Sequence, residues 1–161
     1  MQCPPHGTPR RDRRRQAQRG RRRHRLTELR HRLSALRLRR GESESVQALS
    51  EEALAEARRA GDRASESDAI FNQGSLQYSS GRMRDALRLF ESSSEAATAA
   101  GDDKLRARAE LYVGNAVMTL GERKGAEEAF SRAKELANRM GDAKLEAEAT
   151  RGLGQLYSFA G

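Results

Sequence analysis

The stretch that decides the fold is residues 101–142, GDDKLRARAELYVGNAVMTLGERKGAEEAFSRAKELANRMGD, which opens and closes on the same dipeptide. Asp102 has the short carboxylate of a helix N-cap, able to accept from free first-turn amides and favoured by the positive end of the helix dipole. Leu105, Ala109, Leu111, Ala116 and Leu120 then recur near helical spacing, with Tyr112 beside them. Gly121 stands where a left-handed residue ends a helix. A second helix is predicted from about Glu122 to Met140, its apolar stripe formed by Ala126, Ala129, Phe130, Ala133, Leu136 and Ala137. Gly141 ends it.

The same punctuation runs along the chain on a ruler of 40 residues. Gly61-Asp62, Gly101-Asp102 and Gly141-Asp142 form one register, and Gly41, Gly81, Gly121 and Gly161 form another. Gly74, Gly114 and Gly154 form a third, and Ala69, Ala109 and Ala149 keep the same step, as do the pairs Ala86/Ala126 and Phe90/Phe130. A period of this size marks a repeat array, in which each unit stacks on the next because it cannot bury its own apolar face. Helix is expected over most of 23–161, with breaks near 41, 61, 81, 101, 121 and 141 and no sheet. No proline follows Pro9 to interrupt it. Glycine in mid-helix costs about 1 kcal/mol relative to alanine. Its recurrence at 74, 114 and 154 therefore implies close approach of a neighbouring helix, with the phenylalanines supplying bulk between units.

The spacing of Ala69, Gly74, Gly81, Ala86 and Phe90, repeated as Ala109, Gly114, Gly121, Ala126 and Phe130, resembles the tetratricopeptide repeat (TPR). The 40-residue form, with Gly-Asp between units, is similar to the subclass in Pins/LGN and rapsyn type scaffolds. Tyr112-Val113-Gly114-Asn115-Ala116 and Gly152-Leu153-Gly154-Gln155-Leu156-Tyr157 are close to the first helix of that type. The resemblance implies an all-α right-handed superhelical solenoid of antiparallel helix pairs, with about three and a half repeats. It divides the chain into a degenerate repeat at 23–61, repeats at 62–101 and 102–141, and the first helix of an incomplete repeat at 142–161. It also implies a non-catalytic protein–protein interaction scaffold that takes a partner peptide or helix on the concave side, lined by the first helices. The groove positions it points to are Phe71, Leu111 and Arg151, then Ser75, Asn115 and Gln155, then Tyr78, Met118 and Ser158.

Residues 23–40 carry the stripe Leu26, Leu29, Leu33, Leu36 and Leu38, and 44–60 carry Val46, Leu49, Ala53, Leu54 and Ala57. Ser34 and Ser50 replace the expected glycine and phenylalanine, as befits a terminal unit with one side in solvent. Upstream, composition changes abruptly. Residues 1–40 hold 15 Arg and no Lys against Asp12 and Glu28, a balance of +13, whereas 41–161 hold 16 basic and 21 acidic side chains, a balance of −5. Residues 1–22 are too polar to bury a core and read as a disordered arm. Arg13, Arg14, Arg15, Arg21, Arg22 and Arg23 suit nonspecific phosphate contact, so a nucleic-acid-associated factor is the alternative function. A nuclear address, an anionic membrane surface and a plain solubilising tail remain open uses of the same charge.

Several function classes have no support. Cys3 is the sole cysteine, and His6, His24 and His31 all lie in the basic segment, so the repeats from 62 onward hold no histidine- or cysteine-based nucleophile pair or metal set. No Walker loop, dinucleotide fingerprint or membrane span is present, and neither enzyme activity nor a cofactor is expected. The expected location is cytoplasmic, with the nucleus as the alternative. Leu145, Leu153, Leu156, Tyr157 and Phe159 are expected to leave a partly apolar surface on the last helix. Either self-association through that end or truncation from a longer array would account for it.

Overall fold

The computed structural model describes residues 43–158, all of them helical or in the short turns between helices. The helices are α1 (Ser43–Ala60), α2 (Arg63–Ser79), α3 (Met83–Ala100), α4 (Asp103–Thr119), α5 (Arg123–Met140) and α6 (Ala143–Ser158). Among the described residues there is no strand. The helix expected at 23–40 and the arm lie outside the described residues, as do Phe159 and Gly161.

The junctions α1–α2, α3–α4 and α5–α6 follow from the Gly-Asp dipeptide, whereas α2–α3 and α4–α5 turn at Gly81-Arg82 and Gly121-Glu122 without a side-chain cap. Gly61, Gly101 and Gly141 adopt φ of 65°, 68° and 69°, a left-handed conformation that side chains with a Cβ resist. The amides of Asp62, Asp102 and Asp142 then turn back to donate to Ala57, Ala97 and Ala137 carbonyls, each at 3.0 Å. This satisfies carbonyls that the helix end would leave orphaned. The same aspartates cap the following helix. Asp62 Oδ1 accepts from the Ser65 amide, Asp102 Oδ1 from the Lys104 and Leu105 amides, and Asp142 Oδ1 from the Leu145 amide. One dipeptide thus ends one helix and starts the next within two residues.

Two phenylalanines carry the core. Phe90 and Phe130 are 0% exposed, on α3 and α5. A Cβ placed on Gly74 would stand 2.8 Å from the Phe90 ring, and one on Gly114 would stand 2.6 Å from the Phe130 ring. The mid-helix glycines at those two positions do answer to helix approach. Gly154 departs from the expectation, for a Cβ there meets nothing within 4 Å. Gly152, at the phase of Tyr112, meets Phe130 with a Cβ distance of 2.6 Å to the ring. Phe130 is therefore flanked by glycines from α4 and α6, whereas Phe90 has Gly74 on one side and the Tyr112 ring, 5.2 Å between centroids, on the other.

Several buried polar groups are paired across helices. Ser67 Oγ donates to the Ser93 carbonyl at 2.8 Å, and Ser93 Oγ donates back to the Ser67 carbonyl at 2.9 Å, joining α2 to α3. Glu110 on α4 accepts from Ser94 of α3 at 2.6 Å and from Arg132 of α5 at 2.8 Å. Buried hydroxyls and carboxylates must find such partners, since leaving one unmade costs roughly 1–3 kcal/mol.

The path of the chain sets which layer is inside. Consecutive helices pack on one another throughout, and α4 also touches both α2 and α6. Between α1 and α3, or α3 and α5, no Cα atoms approach within 8 Å. The layer α2, α4, α6 is thus the crowded one and α1, α3, α5 the splayed one. A stack of hairpins with that asymmetry curves, with α2, α4 and α6 on its concave side.

Candidate functional site

A helical stripe on the concave layer runs through phases 64, 68, 71, 75 and 78 and their 40-residue equivalents. Direct contacts tie it together. Arg108 on α4 is ion-paired to Asp68 on α2, and its guanidinium lies over the Phe71 ring at 4.0 Å from the centroid. Phe71 meets Tyr112 edge-on at 4.9 Å, and Tyr78 meets Tyr112 at 6.2 Å. The result is an aromatic floor bridging the first two concave helices.

The nine positions expected to line the groove do not share one environment. Phe71 and Leu111 are buried, at 7% and 5% exposure, and belong to the core cluster. They support the surface from below. Ser75 is half-buried and its hydroxyl donates to the Phe71 carbonyl at 3.0 Å, so it is already occupied within its own helix. Tyr78, Asn115 and Met118 are half-buried, and Arg151, Gln155 and Ser158 are exposed. The hydroxyl of Ser158 donates to the Gln155 carbonyl. Among the described residues the side-chain amides of Asn115 and Gln155 and the Arg151 guanidinium have no partner. Those three, with Tyr78 and Met118, are the groups free to meet another molecule. The arginines expected to contact phosphate, Arg13 to Arg15 and Arg21 to Arg23, lie outside the described residues.

The phase two turns earlier was not singled out from sequence. It carries Lys104 and Lys144, both exposed, while the next phase carries Asp68, Arg108 and Glu148. Its signal was available in the 40-residue ruler, where Lys104 and Lys144 repeat in step. Near those lysines the acidic groups are engaged: the Asp102 and Asp142 carboxylates accept first-turn amides, and Asp103 pairs with Arg139 at 3.6 Å.

The last helix also corrects an expectation. Leu145 and Leu156 are buried and Leu153 is packed against the core, so they do not form an open apolar surface. Tyr157 does, at 55% exposure. Its hydroxyl donates to Glu127 Oε1 at 2.5 Å, and Arg123 lies over its ring at 5.8 Å, which fastens α6 to α5. That bond to a carboxylate raises the phenol's pKa above its ordinary value, since the neutral hydroxyl is the donor.

No group of three or more metal-ligating side chains occurs among the described residues, and no helix there is long and apolar enough to cross a membrane. An open depression of about 320 Å³ lies at the α2–α3 junction, lined by Gln77, Asp85, Arg88, Leu89 and Ser92. Three of its polar groups already pair, Gln77 with Arg82 and Asp85 with Arg88.

These features define an all-α helical-repeat protein with a solenoid core. The chain is similar in structure to the crystal structure of BtubC (BKLC) from P. vanneervenii, with 22% sequence identity over 80% of this chain and a TM-score of 0.72. It spans 53% of that chain's length. No family model matches the sequence, and no curated protein matches it.

Proposed function

We propose that the protein is a TPR-type interaction scaffold that holds an extended segment of a partner protein along the concave faces of α2, α4 and α6. The observation that carries this reading is the row of half-buried and exposed side chains Asn115, Met118 and Gln155 beside the aromatic cluster of Phe71, Tyr78 and Tyr112. Amides that are free on both donor and acceptor sides can pair with a partner backbone, while Tyr and Met bury partner side chains. The 40-residue phases of Ala69, Gly74, Gly81, Ala86 and Phe90 support the TPR assignment.

The test is affinity capture from source-cell lysate with the wild type and an Asn115→Ala/Gln155→Ala variant. Both amides are unpaired, so truncation leaves the fold intact, and circular dichroism and melting temperature verify that. Loss of specifically retained proteins is expected. An unchanged retained set from the folded variant contradicts the groove.

A further inference from the structure

We propose that α6 pairs with α6 of a second copy of this chain, each Tyr157 ring seating on the other copy's Gly154. This goes beyond the concave-groove reading and does not depend on it. Its ground is a packing contact that recurs three times in the fold. Phe90 packs on Gly74, and Phe130 packs on Gly114 and Gly152, so closely that a Cβ on these glycines would stand 2.8, 2.6 and 2.6 Å from the ring. Gly154 shares the phase of Gly74 and Gly114, yet a Cβ there meets nothing within 4 Å. It is an aromatic seat without its aromatic. Three residues on, Tyr157 is the one large apolar side chain left exposed among the described residues, at 55%. Its hydroxyl bond to Glu127 and the Arg123 guanidinium over its ring fix its orientation in advance, which lowers the ordering cost of a contact.

The seat belongs to a whole face of the helix. On α2 the row Ser67, Ile70, Phe71 and Gly74 is buried, with α3 supplying Phe90 and Ser93 against it. On α4 the row Ala107, Glu110, Leu111 and Gly114 is buried, with α5 supplying Phe130 and Arg132. The same row on α6, Ala147, Thr150, Arg151 and Gly154, is exposed throughout. Three of its four residues are small and uncharged, as a helix contact requires, and the long stem of Arg151 can lie aside and keep its charge in water. The face thus continues two interfaces already formed in this molecule. A second copy suits it by symmetry, because a twofold interface returns every contact reciprocally and must hold both members of each pair. One helix here carries both, a free seat and a free ring at i and i+3. Two antiparallel α6 helices crossing near these residues fill both seats at once.

The experiment is sedimentation velocity of the full chain from about 5 to about 500 µM, a range suited to the weak affinity of a single helix crossing. Gly154→Gln and Tyr157→Phe are run beside the wild type in about 0.5 M salt, which screens attraction between the arginine-rich segment and the negatively charged body. In the monomer a side chain at 154 meets open space, so Gly154→Gln folds as the wild type does, and its melting temperature at low concentration checks this. The wild type and Tyr157→Phe, which keeps the ring, are expected to dimerise. Gly154→Gln is expected to raise the dimer dissociation constant about tenfold or more. A wild type that stays monomeric throughout overturns the proposal, as does an association seen only at low salt. A dimer that Gly154→Gln leaves intact lies elsewhere and overturns it too. Loss of the dimer in Tyr157→Phe overturns the ring-on-glycine contact, and growth beyond the dimer overturns the twofold pairing.

Discussion

At the residue scale, glycines at one phase of the repeat carry opposite consequences. Gly114→Ala places a methyl 2.6 Å from the Phe130 ring, which is fixed in the core and cannot swing away. Overpacking of that kind typically costs 1–3 kcal/mol, against a helix-propensity gain of about 1 kcal/mol. Net destabilisation is expected in urea denaturation. Gly154→Ala meets open space and is expected to stabilise by up to about 1 kcal/mol. A stabilised Gly114→Ala would show that the Phe90 and Phe130 phase does not pack as described. The ruler made Gly74 and Gly114 legible as sites of close approach, because phenylalanine follows both at the same offset. It does not extend to Gly154, for which the described chain offers no such phenylalanine, and it did not single out Gly152, which stands at the phase of Tyr112 and packs on Phe130. Periodicity reports equivalence of position; the neighbour that fills the position is a tertiary fact.

Between elements, the junction of α1 and α2 is held by Glu66, which accepts from Arg58 Nε at 3.0 Å and from Arg63 at 2.7 Å. The bond from Arg58 is the main reason its carboxyl titrates below the ordinary value of 4.5, with Arg63 adding to it and burial opposing both. A depressed carboxylate contributes stability that is present above its unfolded pKa and is lost as pH falls through the folded one. Glu66→Gln is therefore expected to lower the urea midpoint at neutral pH and to match the wild type at pH below the folded pKa. A difference that is independent of pH would mean that packing, and not the charge, is at stake. Glu91 runs the other way. Burial first, then the charges of Glu95 and Glu110, raise its pKa, so its ionisation opposes folding and its protonation on acidification relieves the strain. The helix boundaries were legible because a positive-φ glycine makes each turn, with an aspartate capping the next helix at three of the five. The Ser67–Ser93 and Glu110 bonds were not, since partners 16 to 26 residues apart leave no local pattern that distinguishes a buried polar side chain from a solvated one.

The whole molecule divides by charge into a basic segment and a negatively charged helical body. Any association with nucleic acid is expected to reside in residues 1–40 and to weaken steeply as salt rises, because phosphate contacts release counterions. Deleting those residues should abolish gel-shift of a random-sequence duplex; retained binding would locate phosphate contacts on the repeats. The helical repeat was readable at this scale from one 40-residue period. The groove was legible only in part, because Phe71 and Leu111 share a phase with exposed Arg151 and only packing separates floor from rim. The central claim is that the layer of α2, α4 and α6 receives a protein segment. Its most direct measurement is the backbone amide NMR spectrum of the full chain, titrated with a peptide enriched by display. Shifts concentrated at Tyr78, Lys104, Asn115, Met118, Arg151 and Gln155 are predicted; shifts confined to α3, α5 or the arginine-rich segment would contradict it.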